Sequence, residues 1–168
     1  MKNNIILIGM PGSGKSTIGV LLAKLLGYSF IDTDLIIQNS EGKRLFEIIE
    51  EKGKEGFLQI ENKINSSVST ENTVIATGGS AVYGKEAMEH LKEIGTVIYL
   101  NCSVKELKGR IKNFATRGIV MDRGQTIKDI YNERHPLYEK WADIIVECSS
   151  SEIAENAEKI YKIIKTKQ

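Results

Sequence analysis

Near the N-terminus, Gly9-Met10-Pro11-Gly12-Ser13-Gly14-Lys15-Ser16 follows the pattern G-x-x-x-x-G-K-[S/T]. In such a loop the glycines let backbone N–H groups converge on phosphate oxygens, the lysine adds a positive charge, and the next hydroxyl is a ligand for Mg²⁺. A helix starting near Lys15 would add the positive end of its dipole. The chemistry implied is binding of a nucleoside triphosphate with Mg²⁺, its phosphates held by Gly12, Ser13, Gly14, Lys15, Ser16 and Thr17. This loop alone does not separate a small-molecule kinase from an ATPase, a GTPase or a motor. No Asn/Thr-Lys-x-Asp run that would read guanine is present, and 168 residues is short for most motor or transporter domains. A compact kinase is favoured.

Other residues bear on what would accept the phosphoryl group. Asp32-Thr33-Asp34 closes an apolar run, and two acids at this spacing can divide labour, one holding hydrated Mg²⁺ and the other orienting or deprotonating a hydroxyl. The same residues are also good helix caps. Thr77-Gly78-Gly79-Ser80 follows another apolar run, where consecutive glycines would let backbone approach a ligand. The chain uses Lys for general charge, 18 of them against five Arg, yet four of the five arginines are Arg110, Arg117, Arg123 and Arg134. That clustering points to planar, forked contacts with phosphate, carboxylate or a base. Arg117 is expected to close over the γ-phosphate.

These residues need a frame that brings them together. Five β-branched or apolar runs, Asn4 to Ile8, Tyr28 to Asp32, Thr73 to Thr77, Thr96 to Leu100 and Ala142 to Glu147, read as strands buried on both faces. Helical spacing separates them, as in Ile18, Leu21, Leu22, Leu25 and Leu26 with Gly27 as a C-cap, and again over Ile153 to Ile164. The alternation predicts an α/β fold in three layers, a five-stranded parallel sheet between helices, with ligands outside the carboxyl ends of the strands. Between Asp32 and Thr73, helical patterns at Asp34 to Asn39, Leu45 to Lys52 and Phe57 to Val68 exceed one crossover and read as a helical insertion. Asn113 to Thr126 has little apolar periodicity and is expected to be a mobile surface loop.

Composition narrows the function classes. Lys plus Arg number 23 against 22 for Asp plus Glu, a net charge of +1, which argues against a surface for nucleic acid or anionic lipid. Cys102 and Cys148 form no C-x-x-C pair and have no His at ligand spacing, so neither a zinc site nor a redox dithiol is expected. No stretch approaches the roughly 20 apolar residues of a membrane span. His90, His135 and Trp141 are assigned to packing or surface. The expectation is one domain over 1–168, cytoplasmic and monomeric, acting on a small molecule.

Together the residues resemble the shikimate kinase family, through the P-loop, Phe30-Ile31-Asp32-Thr33-Asp34, Thr77-Gly78-Gly79 and Arg134-His135-Pro136-Leu137-Tyr138. The resemblance implies a P-loop kinase fold in which 33–70 form a substrate-binding helical insertion and 112–125 a lid. It implies ATP and Mg²⁺, with phosphorylation of the 3-hydroxyl of shikimate on the route to chorismate and the aromatic amino acids. By it, Asp34 would be the base and Asp32, with Ser16, would hold the metal. Gly78, Gly79 and Ser80 would line the acceptor pocket, and Arg134 would bind the acceptor carboxylate. Lys15 and Arg117 would serve catalysis, and Arg110 would lie against adenine.

Three positions depart from the family pattern. F-R-x-x-E, whose Arg clamps the carboxylate, reads Phe57-Leu58-Gln59-Ile60-Glu61; the third glycine of G-G-G is Ser80; and R-P-L-L is Arg117-Gly118-Ile119-Val120. Loss of a charge-assisted contact to a carboxylate removes roughly 1.5–3 kcal/mol unless replaced. Arg134 remains, and Lys54, Lys63 or Arg44 of the insertion are the candidates to reach the pocket in place of the missing Arg. The alternative is a kinase of the same build acting on another small polyol or cyclitol, for which Leu58 and Ser80 would be a remodelled pocket.

Overall fold

The computed structural model describes residues 3–111, 117–148 and 152–167. Five parallel strands form one sheet in the order β2-β3-β1-β4-β5: β1 Asn4–Ile8, β2 Ser29–Asp32, β3 Thr73–Ala76, β4 Gly95–Asn101 and β5 Ile144–Glu147. Seven helices flank it among the described residues: α1 Lys15–Leu26, α2 Thr33–Glu41, α3 Leu45–Ser66, α4 Lys85–Ile94, α5 Val104–Arg110, α6 Ile127–Trp141 and α7 Ile153–Lys167.

The central strand explains the order. All five residues of β1 are buried, and Ile6 pairs with Ile75 of β3 on one side and Val97 of β4 on the other. A strand with two neighbours and helices over both faces has no polar face, which is why its sequence is a continuous apolar run. The chain leaves β1 toward β2 and β3 on one side, then returns to β4 and β5 on the other. That reversal opens a crevice at the carboxyl end of β1. The expectation of burial on both faces fails at the edges. Ser29 is exposed in β2, and Ile145 of β5 is 46% exposed, because an edge strand has one neighbour and its faces lie at the rim of the helical layers.

α1 docks through Ile18, Leu22 and Ala23, whereas Leu25 is 43% exposed, so the apolar face is narrower than its spacing predicts. Gly27, at φ 71°, ends the helix by donating its N–H to the carbonyl of Ala23. In the insertion, the helical patterns predicted at 45–52 and 57–68 make up α3, which kinks between them at Gly53, where φ is 71° and ψ 175°. Glycine makes that bend inexpensive, so the apolar pattern resumes after it.

In the expected loop over 113–126, the described residues are exposed or half-buried as expected, except at one point. Residues 113–116, and 112 of the expected lid, lie outside the described residues. Beyond them Val120 is 3% exposed and joins Ile37, Ile48 and Phe57 in a small apolar cluster on the insertion. Gly118 lies so close to α3 that a Cβ on it would come within 2.5 Å of Leu45 Cβ. Lys54 Nζ also donates to Asp122 Oδ2 at 3.0 Å. Here local polarity misleads, since one buried valine and one glycine suffice to seat the segment.

Candidate active site

The P-loop turns directly from β1 into α1. Gly14 caps α1 at φ 93°, a conformation that favours glycine, and so aims the first N–H groups of the helix into the crevice. Lys15 is buried, with Nζ donating to the carbonyls of Gly9 at 2.8 Å and Met10 at 2.9 Å. Burial lowers its pKa to about 8, against the raising effect of Asp34. An anion beside it would favour the charged form.

Asp32 serves two of its possible roles at once. As the N-cap of α2, its Oδ1 accepts from the backbone N–H of Asp34 at 3.0 Å. Its Oδ2 accepts from Ser16 Oγ at 2.6 Å, which joins the P-loop to the end of β2. A hydroxyl and a carboxylate oxygen so close are hard oxygen donors suited to Mg²⁺, which takes few protein ligands and completes its shell with phosphate and water. No cluster of three or more His, Cys, Asp or Glu able to hold a metal occurs among the described residues.

A single cleft brings together Gly12, Gly14, Lys15, Ser16 and Thr17 with Asp34, Gly78, Gly79, Ser80, Arg117 and Arg134. Asp34 projects from the first turn of α2, and its pKa is raised to about 6 by burial and by the neighbouring Asp32. It is therefore ionised at neutral pH but close enough to titration to take a proton. Gly78 is what lets the acids approach. A Cβ there would lie 2.6 Å from Glu61 Oε2 and 2.7 Å from Asp34 Oδ1.

Arg134 reaches the cleft from α6 and is 2% exposed. Its Nε donates to Tyr83 Oη at 3.3 Å and its Nη2 to the carbonyl of Val120. No carboxylate among the described residues forms an ion pair with it. A buried guanidinium held only by neutral acceptors is an anion site in waiting. One turn along the same helix, Tyr138 donates to the carbonyl of Gly79 at 2.5 Å, fixing the glycine pair to α6.

Three sequence-predicted residues lie outside the cleft lining. Ser13 is fully buried within the P-loop. Asp32 stands behind it through Ser16. Arg110 packs on the far side of the P-loop, Nη1 lying 3.4 Å from the carbonyl of Gly12 and 3.5 Å from that of Ser13. The expected compensating bases are not there either. Arg44 pairs with Glu47, Lys54 with Asp122, and Lys63 is exposed, while Leu58 packs on the small apolar cluster and does not line the cleft. Their charges thus end in solvent or in exposed ion pairs, and Leu58 on the apolar cluster that holds Val120.

The sequence reading met Glu61 as the last residue of the Phe57 to Glu61 element but gave it no role. It is 2% exposed and lines the cleft, with Ser80 Oγ donating to its Oε1 at 2.6 Å. Burial raises its pKa to about 8, against the lowering effect of the Ser80 hydrogen bond. Its position three residues after Leu58, on the same face of one helix, was the available signal. His90 and His135 are structural, with His90 Nε2 on the carbonyl of Val68 at 2.7 Å and His135 Nδ1 on Tyr99 Oη at 2.8 Å.

Comparison with known proteins agrees with this geometry. The family described as "Shikimate kinase" matches residues 11–165. A shikimate kinase of Histophilus somni is 40% identical over 149 residues, covering 86% of this chain and 85% of the relative. One of Thermodesulfovibrio yellowstonii is 36% identical over 162 residues, covering 95% and 93%. Among solved structures, a shikimate kinase of Acinetobacter baumannii in complex with shikimate superposes with a TM-score of 0.92 at 32% identity, over 100% of this chain and 96% of that one. A sugar kinase of Janibacter shares the fold at a TM-score of 0.63 and 15% identity, over 98% of this chain and 95% of that one. With the P-loop, the Asp34 carboxylate and the Arg134 guanidinium on one cleft, and relatives matched over most of their length, this chain belongs to the shikimate kinase family.

Proposed function

We propose that this chain transfers the γ-phosphoryl group of ATP to the 3-hydroxyl of shikimate, giving shikimate 3-phosphate and ADP, as a step in chorismate formation. The observation that carries the reading is the cleft itself, where Lys15, Asp34 and Arg134 face one space. The P-loop N–H groups and Lys15 hold the phosphates, and Arg117 neutralises charge on the transferred group. Asp34 receives the proton of the attacking hydroxyl as the new P–O bond forms and the bond to ADP breaks. Gly78, Gly79 and Ser80 bound the acceptor, and Arg134 pairs with its carboxylate.

Ser16 and Asp32 are the residues that would hold Mg²⁺, which when bound with ATP supplies charge neutralisation on the phosphates. In this reading Arg110, which packs on the P-loop carbonyls, lies against adenine. In this reading 33–70 are the acceptor-binding insertion and 112–125 the lid, and the protein works in the cytoplasm as a monomer.

The test is ADP release with shikimate, with a panel of related polyols, and without acceptor, comparing the parent with Leu58→Arg. Shikimate-dependent release is expected. Leu58→Arg is expected to lower the KM for shikimate by about tenfold, the scale of one charge-assisted contact. Turnover only on an uncharged polyol would overturn the choice of acceptor.

A further inference from the structure

One buried acid in the cleft has no part in the transfer described above. Ser80 occupies Oε1 of Glu61, while Oε2 has no hydrogen-bond partner among the described residues. That second oxygen and Asp34 Oδ1 approach Gly78 together, each within 2.7 Å of the point where a Cβ would stand. A buried carboxyl oxygen left unmatched is costly, so a native site that keeps one is set to receive a ligand group. Leu58 lies at i−3 from Glu61 on α3, where a basic side chain would meet the carboxyl and a leucine offers it nothing.

We infer that Glu61 is an acceptor-specificity residue of this chain: its Oε2 binds the hydroxyl neighbouring the one that Asp34 holds, and Ser80 fixes the carboxyl in place of an ion pair from position 58. The inference rests on the reading that this cleft takes shikimate. Two carboxyl groups converging on Gly78 suit two adjacent ring hydroxyls, and the acceptor's own carboxylate is left to Arg134. The groups facing Glu61 are Lys15 from α1, Asp34 from α2, and Arg134 and Tyr138 from α6. A hydroxyl suits Glu61 in either protonation state, since it accepts from the acid and donates to the carboxylate.

The test compares the parent with Glu61→Met, which removes both oxygens at similar length, and with Ser80→Ala, which removes only the hydroxyl. Each is read for KM and kcat with shikimate and with its analogue lacking the hydroxyl next to the phosphorylated one. Both variants are expected to raise the KM for shikimate about tenfold, with kcat and the KM for ATP changed only a few-fold, and to leave the KM for the analogue near the parent's value. In a Leu58→Arg background the effect of Ser80→Ala should shrink, because the guanidinium then holds Glu61. An equal change for both acceptors, or none for either, in variants whose thermal midpoint matches the parent's would overturn the inference. Should Glu61→Met not fold, Ser80→Ala carries the same comparison alone. A parent inert toward shikimate would instead overturn the proposed function.

Discussion

On the phosphate side of the cleft, most of the groups proposed to face a nucleotide come from one run of nine residues, Gly9 to Thr17, and many of them are backbone, with Arg117 reaching in from elsewhere. The acceptor side draws Asp34, Glu61, Gly78 and Arg134 from α2, α3, the end of β3 and α6, and relies on side chains. The difference teaches where a kinase of this build can change. A loop that binds through N–H groups tolerates little variation, because its function is its conformation. A pocket assembled from separate elements can exchange one side chain and adjust its neighbour, as with Leu58 and Ser80. The P-loop keeps the complete pattern while the acceptor side carries both of these departures.

The sharpest way to separate the two halves is Asp34→Asn. It should lower kcat by about 10²–10⁴-fold, the scale of a general base, and leave ATP affinity near the parent's, read by steady-state kinetics beside nucleotide titration. Near-normal turnover would remove Asp34 from the role proposed for it. Next in size, Gly78→Ala would place a methyl 2.6 Å from Glu61 Oε2 and 2.7 Å from Asp34 Oδ1. The shift of both acids should raise the KM for shikimate about tenfold or more, while ATP binding stays unchanged.

A smaller effect comes from the charges that the acceptor side buries. Burial raises Asp34 from 3.8 to about 6 and Glu61 from 4.5 to about 8. The folded chain therefore holds more protons than the unfolded one between those values, and stability falls as pH rises from about 4 to about 8. Each retained proton can contribute a slope of at most about 1.4 kcal/mol per pH unit. Denaturant midpoints across that range should show the decline, and Glu61→Gln should flatten its upper part. A profile unchanged by that substitution would mean that Glu61 ionises normally. Smallest of all, Lys54→Ala breaks only the exposed pair with Asp122, and should change unfolding free energy by about 0.2–1 kcal/mol.

Much of this was legible in the chain alone. Asn4 to Ile8 announces a central strand because burial on both faces leaves no alternation to read, and the glycines and Lys15 that follow can be recognised because they are contiguous. Asp34, Gly78 and Gly79 were accessible for a related reason, since each stands just past an apolar run, where a parallel sheet places its ligands. Arg134 stood out as one of four clustered arginines, but its role came from the resemblance to a family. The burial of Val120 was not legible, because it depends on what a distant element offers as a surface.

The local sequence determined the elements, the phosphate loop and the absence of a guanidinium at position 58, all of which are set by residues adjacent in the chain. Only the tertiary structure decided what takes that place. Arg44, Lys54 and Lys63 had the right charge, but α3 directs them elsewhere. Ser80, nineteen residues beyond Glu61, meets it at 2.6 Å because the turn at Ala81–Tyr83, which Ser80 begins, packs on that helix. Charge type can be read from a sequence, whereas the direction in which a side chain leaves its helix is settled by packing.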